Sequence, residues 1–397
     1  MVVCRVLAFF CLNVKRWRQI ALVGGELWYN ELMDGEETIR RIGAYLAGRY
    51  DVCEYPSLRA QAERFRVTRP FADKALLDCT PVFANTLLKY VPLLVGGADL
   101  TVSVSERIPH DPEIVRFLGE IGIPVLRDPA DATRPFDVVL DCDGSRADLK
   151  PRVGVCELTR SGIYHYAKSP VPVVLVDDSR IKEIETTLGT GDGFMRAMKK
   201  FGHADWAGRK VVIFGFGKVG RGVAYRCVKE GAAVTVVDRT DAGVPFERLP
   251  SATVVDCRDL DAVRAAVAAC DCLVTATGVK GAMKGYGLGP VLRERDGIIV
   301  AAIGIEDEWL DELDRGRIVN GGEAVNFALD EPTLLRYIDP TMALSNASAA
   351  DLLAGAFAEP GICRPSAAAE RLCLDPVLSE GLLADEIGEV FGRGGGR

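Results

Sequence analysis

Histidine is scarce in this 397-residue chain, which contains only His110, His165 and His203. Three scattered histidines leave little room for a zinc site, and any histidine catalysis must use one of them. The 12 cysteines add no metal-binding pattern, because there is one Cys-x-Cys and no Cys-x-x-Cys. Several, such as Cys227 and Cys272, lie in apolar stretches, where a thiol acts as a small hydrophobic group. We therefore expect no metal site and a reducing, cytoplasmic compartment.

Long apolar runs and an excess of positive charge are also missing. No run reaches the roughly 18 apolar residues of a membrane-spanning helix, and the net charge is −8 without a long basic stripe. The composition therefore argues against a membrane or a nucleic acid as the main partner. With 48% hydrophobic residues the chain is globular, and its length suggests two or three domains.

The first thirty residues differ from the rest of the chain. An apolar stretch from Val2 to Val14 precedes the basic residues Lys15, Arg16 and Arg18, whereas a signal peptide carries its charge before the apolar stretch. We expect a peripheral β-strand or an upstream-extended start here rather than an export signal.

From about Leu76 the pattern predicts alternating strands and helices. The predicted elements are a helix over Thr80–Val95, a strand over Asp99–Val104, a helix over Asp111–Ile121, and strands over Phe136–Leu140 and Val171–Val176. This alternation is typical of a mainly parallel α/β sheet, in which ligands collect at the carboxyl ends of strands. Acidic clusters at Asp141 and Asp177 follow two of these strands.

A second block begins with the strand Lys210–Phe214, which leads into a glycine-rich turn and a helix to about Glu230. A strand over Ala233–Val237 follows and ends in Asp238. Further strands are predicted at Cys272–Thr275, Gly297–Ile303 and Arg317–Val319.

The glycine-rich turn has the spacing of a dinucleotide-binding loop. Gly215 permits the tight turn, Gly217 lets a pyrophosphate approach the backbone, and Gly220 allows the helix to pack closely on the sheet. Asp238 can accept hydrogen bonds from ribose hydroxyls and favours NAD over NADP, although Arg239 weakens that preference. The alternative is a glycine-rich packing turn without a ligand.

These residues belong to a longer resemblance. From about Lys74 to Gly355, and loosely to Val390, the chain resembles adenosylhomocysteinase, the NAD-containing S-adenosylhomocysteine hydrolase. The segments that carry the resemblance are Gly215–Gly222, Val274–Gly278, Ile303-Gly304, Val325-Asn326, Leu344–Asn346, Gly154–Gly162 and Asp178-Ser179 with Lys182.

The resemblance implies a Rossmann NAD-binding domain inserted into a second α/β domain that binds substrate, with the active site between them. The implied bounds are 1–190 for the first part of the substrate domain, 191–344 for the cofactor domain, and 345–397 for the return. It also implies NAD contacts from Gly215, Phe216, Gly217, Lys218, Val219, Gly220, Asp238, Arg239, Thr159, Thr186, Thr277, Gly278, Ile303, Gly304 and Asn326. A homo-oligomer follows from the family. We favour a dimer, because the family's tail that reaches a neighbouring protomer's cofactor is absent.

Several of the family's substrate-binding groups are replaced. The replacements are Pro81 and Asn85 for a histidine and a glutamate, Cys142 for an aspartate, Leu158 for a glutamate, Ile305 for a histidine, and Asp339 for a histidine. A polar nucleoside would leave buried donors and acceptors unpaired at roughly 1–3 kcal/mol each. The changes argue against S-adenosylhomocysteine as the substrate.

The family's proton-transfer residues are better preserved. The resemblance implies catalytic roles for Lys182, Glu185 and Asp178, and a helix would place Lys182 and Glu185 on one face. A lysine whose pKa is lowered by burial is a competent base. The alternative is an exposed Lys–Glu pair without a function. Weaker candidates, for contact with substrate, are Asp141, Asp143, Glu157, His165 and Asn85.

We therefore expect an NAD-dependent enzyme that oxidises a hydroxyl of a small molecule. A cofactor-retaining hydrolase, lyase or epimerase that works through transient oxidation is the first alternative. A catalytically inactive, NAD-binding regulatory relative is the second.

Overall fold

A computed structural model describes residues 35–392 of the chain apart from 129–130, 242, 244–248, 250 and 296, together with the backbone of 21–23 and 26–28. After a short hairpin, the strands of the described chain form two separate sheets. The strands are β1 (Ala21–Val23), β2 (Glu26–Trp28), β3 (Ala75–Asp78), β4 (Asp99–Ser103), β5 (Val125–Leu126), β6 (Val138–Asp141), β7 (Gly154–Glu157), β8 (Pro172–Leu175), β9 (Lys210–Phe214), β10 (Ala233–Asp238), β11 (Thr253–Asp256), β12 (Cys272–Thr275), β13 (Ile299–Ala302) and β14 (Gly361–Cys363). The expected strand or extension before residue 20 lies outside the described residues.

Helices cover both faces of the sheets, as the alternating pattern predicts. They are α1 (Gly35–Leu46), α2 (Pro56–Thr68), α3 (Thr86–Val95), α4 (Pro112–Glu120), α5 (Arg180–Ile184), α6 (Thr190–Lys200), α7 (Lys218–Lys229), α8 (Leu260–Ala268), α9 (Gly289–Glu294), α10 (Leu335–Leu353), α11 (Ala367–Glu380) and α12 (Ala384–Phe391). Among the described residues, no helix is long and apolar enough to cross a membrane.

The five-stranded sheet is parallel, with the strand order β11-β10-β9-β12-β13. Its strands are runs of valine, isoleucine and other apolar residues, which suits a sheet covered by helices on both faces. The order reverses between β9 and β12, and ligands of such sheets bind at the carboxyl ends of the strands at that point. The glycine-rich turn follows β9 and therefore lies at this position.

The seven-stranded sheet is also parallel, with the order β14-β8-β7-β6-β3-β4-β5. Its edge strand β14 comes from the C-terminal part of the chain and pairs with β8. Helix α10 crosses back onto this sheet, where Leu352 packs in the same hydrophobic core as Leu140 and Val174. The fold is therefore α/β with two parallel sheets, and the chain returns to the first sheet after completing the second.

Two sequence-based element assignments were wrong in part. The helix expected from Thr80 begins only at Thr86, because the preceding residues form a turn in which the Thr86 hydroxyl donates to the Pro81 carbonyl. The strand expected over Arg317–Val319 is absent: short 3₁₀ turns occupy the segment, and only Ile318 forms a single bridge to Val300.

Helix α7 crosses the segment before α6 at unusually short distance, and Gly222 makes this possible. A Cβ on Gly222 would lie 1.8 Å from the backbone oxygen of Thr187, and one on Gly191 would lie 2.3 Å from the backbone oxygen of Gly222. Both obstacles are backbone atoms, which cannot rotate away as a side chain can.

We expect Gly222→Ala to lower the free energy of unfolding by about 3 kcal/mol, because the methyl group forces the two segments apart. Urea unfolding of the purified variant measures this change. Gly43→Ala is the matched control, since it places a methyl group in open space on exposed α1 and should stabilise the protein slightly. Equal stability of the Gly222 variant and the unaltered protein would contradict the close crossing.

Candidate functional site

The glycine-rich turn after β9 has the geometry that a dinucleotide diphosphate needs. Gly215 has a φ of +94°, and a Cβ on Gly220 would lie 1.9 Å from the backbone oxygen of Gly215. These two glycines are therefore required by the turn and by its packing against α7. Gly217 is different: its φ is −67° and a Cβ there would meet no atom of the described residues within 4 Å. Its missing side chain leaves open space in front of the amino terminus of α7.

Asp238 closes the far side of this turn at the end of β10. Its carboxylate accepts hydrogen bonds from the backbone N–H of Phe216 at 2.6 Å and of Arg239 at 2.7 Å. The guanidinium of Arg239 pairs with Asp241, which also pairs with Arg258. Both arginines pair with exposed carboxylates, and the negative charge of Asp238 itself disfavours a 2′-phosphate at this position.

A cleft of about 800 Å³ opens beside the turn. It is lined by Glu183, Phe214, Gly215, Phe216, Gly217, Lys218, Arg221, Val237, Asp238, Gly243, Cys257, Ala276, Thr277, Val279, Ala282 and Tyr286. Its volume lies within the range typical of small-molecule and cofactor sites. Backbone amides at the turn suit a diphosphate, and Asp238 suits a ribose, so the residues present fit a dinucleotide.

The remaining cofactor candidates of the second sheet lie at the ends of β12 and β13 and beyond. Thr277 and Gly278 follow β12, and the Gly278 N–H donates to buried Glu308 at 2.7 Å. Ile303 and Gly304 follow β13. Asn326 is buried, and its Oδ1 has no hydrogen-bond partner within the described part of the chain. An orphaned buried acceptor of this kind suits a donor group on a bound molecule.

Two further cofactor candidates lie in segments that follow strands of the seven-stranded sheet. Thr159 follows β7, and its hydroxyl donates to Glu157 at 2.9 Å. Thr186 lies in the π-helical turn Glu185–Gly189, directly after one of the expected catalytic residues. Val219, the last of the expected cofactor residues, lies in the first turn of α7 beside Lys218.

Lys182 and Glu185 form a buried ion pair next to the cleft. Lys182 Nζ donates to Glu185 at 2.6 Å, and the two residues are 9% and 7% exposed. The alternative of an exposed surface pair is therefore wrong. Glu183, the residue after Lys182, lines the cleft itself.

The expected lowering of the Lys182 pKa is also wrong. Burial favours the neutral amine and lowers the pKa, but the charge and hydrogen bond of Glu185 outweigh it, so the pKa lies above its ordinary value. Lys182 is therefore held as an ammonium ion, with Glu185 as its proton-accepting neighbour.

Local capping fixes this pair. The Ser179 hydroxyl accepts from the Lys182 N–H at 3.0 Å and starts α5, and the helix then widens into the turn at Glu185. Asp178, expected to act with Lys182, instead forms an ion pair with Arg160.

Carboxylates at the ends of β6 and β7 support the loop beside Lys182. Buried Glu157 accepts from the backbone N–H of Asp143, Gly144 and Thr159 at 2.9–3.1 Å. Buried Asp141 accepts from the N–H of Cys142 and Arg146 and from the hydroxyls of Ser145 and Tyr166. Their oxygens are engaged with the chain itself.

The other three substrate candidates each contact a different part of the chain. Asp143 pairs with Arg107 at 2.5 Å. The exposed ring of His165 packs over Gly144, and a Cβ on Gly144 would lie 2.5 Å from that ring. Buried Asn85 donates to the backbone oxygen of Thr333 at 3.2 Å.

Burial raises the pKa of Glu157 to about 7. A carboxyl group whose pKa is raised by folding contributes stability at low pH, which is lost as the pH rises from the unfolded pKa through the folded pKa. We expect the free energy of unfolding to fall by about 2–3 kcal/mol between pH 4.5 and 7.5 through this group. Urea unfolding across that range should show a flatter slope for Glu157→Gln, and an unchanged slope would contradict the assignment.

Three groups of the site were not predicted from the sequence. Arg221 and Glu183 form an ion pair at 2.9 Å inside the cleft, and Glu308 holds Gly278. Only the position of Arg221, directly between Gly220 and Gly222, gave a sequence signal. Asp339, which replaces a histidine of the family, accepts from the N–H of Ser57 and Leu58 and so caps α2.

No cluster of three or more histidine, cysteine or carboxylate side chains able to hold a metal occurs in the described ranges.

Comparisons with known proteins give relatives in two hydrolase groups. No protein-family model matches the chain. An S-inosyl-L-homocysteine hydrolase from Methanopyrus kandleri is 27% identical over 394 residues, covering 83% of this chain and 89% of that protein. An adenosylhomocysteinase from Pyrobaculum aerophilum is 25% identical over 331 residues, covering 70% and 73%. The solved structure of a dipicolinate synthase chain from Bacillus halodurans has a TM-score of 0.49 and 15% identity, covering 72% of this chain and 99% of that one.

Proposed function

We propose that this chain, a divergent relative of the adenosylhomocysteinases and S-inosyl-L-homocysteine hydrolases, is an NAD-dependent enzyme. It oxidises a hydroxyl group of a small molecule other than S-adenosylhomocysteine. The observation that carries this proposal is the buried Lys182–Glu185 pair one residue away from a glycine-lined cleft. Retention of both residues beside the cleft favours an enzyme over a purely regulatory relative.

Three groups of residues support the proposed position of the cofactor. The amides at the amino terminus of α7, from Gly217 to Val219, would hold the diphosphate. Asp238 would hold the adenosine ribose, and the orphaned oxygen of Asn326 would accept from the amide of the nicotinamide. When bound, NAD supplies the acceptor for a hydride.

Lys182 and Glu185 are the groups that transfer the proton in this proposal. Because Lys182 is an ammonium ion with Glu185 at 2.6 Å, it can accept a substrate hydroxyl's proton only after passing one of its own protons to Glu185. The two residues therefore act as a relay, in which the carboxylate receives the proton and the lysine touches the substrate. Burial excludes water from the pair, which strengthens the interaction between the two charges.

The altered substrate residues support a substrate other than S-adenosylhomocysteine. Asp339 has become a buried helix cap, and Ile305 exposes an apolar side chain where the family has a histidine. A relative that spans 83% of this chain is an S-inosyl-L-homocysteine hydrolase. This likeness favours a second candidate function: a cofactor-retaining hydrolase that works by transient oxidation.

A single screen separates these functions. Purified protein is assayed for its bound NAD, and then for NADH formation from NAD with alcohols, amino alcohols, nucleosides and S-inosyl-L-homocysteine. NADH accumulation supports the dehydrogenase, whereas homocysteine release with stoichiometric bound NAD supports the hydrolase. Neither product, together with unchanged biological activity of Lys182→Ala, would support a regulatory relative and contradict the proposal.

We expect NAD to bind at least about 100-fold more tightly than NADP, because the Asp238 carboxylate repels a 2′-phosphate. Asp238→Ala should reduce this preference mainly by weakening NAD. Titration of the intrinsic fluorescence with each cofactor measures the ratio, and Asp261→Ala, at an exposed site on α8, is the control. Equal affinity of the unaltered protein for both cofactors would contradict the role of Asp238.

A further inference from the structure

Two ion pairs join the amino terminus of α7 to the segment that follows β8. Lys218 Nζ donates to the backbone oxygen of Asp177 at 3.0 Å and to its carboxylate at 2.9 Å. Arg221 Nη2 donates to Glu183 at 2.9 Å. Lys218, Arg221 and Glu183 all line the cleft beside the glycine-rich turn. Two cations beside the expected diphosphate position are therefore paired with carboxylates from the segment that follows β8 of the seven-stranded sheet.

Each of these carboxylates also has a cation on its own side. Arg180 Nη1 donates to Glu183 at 2.8 Å, and Arg160 Nε lies 3.4 Å from the Asp177 carboxylate. Release of Lys218 and Arg221 would therefore leave neither carboxylate without a positive neighbour. Breaking a partly buried ion pair usually leaves one charge without a partner, which is destabilising. Here each carboxylate would keep a positive neighbour, so this destabilisation is avoided.

A diphosphate at the start of α7 competes for the same cations. It carries more negative charge than either carboxylate, and the helix amino terminus attracts it further. Lysine and arginine side chains reach several ångströms from the backbone, so both can turn from a carboxylate to a phosphate without movement of the helix.

We propose that Lys218 and Arg221 form an exchangeable latch, held by Asp177 and Glu183 in the free protein and by the cofactor's diphosphate in the complex. This inference rests on the proposed function, because it takes the diphosphate from the dinucleotide. The exchange releases residues 176–184 from α7. That segment carries Lys182, so cofactor binding frees the approach to Lys182 and precedes substrate binding.

The latch predicts a gain of affinity on removing the two carboxylates. The variant Asp177→Asn with Glu183→Gln should bind NAD roughly 5- to 10-fold more tightly than the unaltered protein, because no ion pair has to be broken. The difference should shrink at 1 M salt, where charges are screened. Calorimetric titration with NAD and with inorganic pyrophosphate measures both. Glu389→Gln, which removes a partner of Lys229 on the same helix, should leave the affinity unchanged.

The outcomes separate the latch from the proposed function. Unchanged or weaker NAD binding by the double variant, with normal thermal unfolding, overturns the latch and leaves the proposed function standing. If the unaltered protein binds no NAD at millimolar concentration but pyrophosphate binds the double variant more tightly, the exchange of the two cations between carboxylates and a diphosphate stands, whereas the NAD-dependent function fails. Absence of both effects overturns both. The single variants, each expected to give part of the gain, provide the answer if the double variant does not fold.

Discussion

Replacement of Lys182 by methionine is expected to lower turnover by about 10³-fold while NAD still binds. General acid–base catalysis contributes roughly 10²- to 10⁴-fold in enzymes, and buried Lys182 directly precedes Glu183, which lines the cleft. The NAD contacts proposed at Gly217 and Asp238 come from the other sheet and do not involve the lysine. Activity is measured by NADH formation with the substrate that the screen identifies, and bound NAD by release on denaturation.

A loss of stability must be separated from a loss of chemistry in this variant. Removing one partner of a buried ion pair leaves the other charge uncompensated and costs about 3–5 kcal/mol. The double variant Lys182→Met with Glu185→Leu removes both charges and should recover stability without recovering turnover. Normal turnover in either variant would show that the pair is structural and would remove the proposed relay.

Replacement of Gly217 by valine is expected to weaken NAD binding by at least about 100-fold without changing the stability of the free protein. The backbone of Gly217 has a φ of −67°, which any residue adopts, and its Cβ would point into open space. Among the described residues nothing obstructs a Cβ there, so we expect the side chain to displace a ligand close to the backbone. Calorimetric titration and urea unfolding of the same preparation measure both quantities.

Gly119→Val is the matched control for this variant, because Gly119 also has open space around a Cβ but lies on exposed α4. It should leave NAD binding unchanged. Gly220→Ala should instead damage the fold, since its Cβ would meet the backbone oxygen of Gly215 at 1.9 Å. Unchanged NAD affinity of Gly217→Val would mean that the glycines serve packing alone.

Local sequence patterns predicted the parts of the site that depend on neighbouring residues. The turn at Gly215 and the carboxylate at the end of β10 follow from a strand, a glycine spacing and a second strand, all close together in the chain. The shared face of Lys182 and Glu185 follows from helical periodicity. In each case the physical cause lies within one or two elements.

Properties that depend on tertiary surroundings were not predictable in this way. The direction of the Lys182 pKa shift reflects a balance between burial and the charge of Glu185, and burial is not written in the local sequence. The pair of Arg221 with Glu183 joins residues 38 apart in the chain. The sequence shows Asp339 in place of a histidine of the family. Its role as a cap of α2, however, depends on a contact with a residue 282 positions away in the chain.

The proposed cofactor site is tested most directly by a crystal structure of the protein soaked with NAD. We predict one NAD per chain, with its diphosphate on the backbone amides at the amino terminus of α7 (Gly217–Val219), its adenosine ribose on Asp238, and its nicotinamide directed toward Lys182. A soaked crystal without NAD, or one with NAD bound away from the glycine-rich turn, would contradict the proposed site.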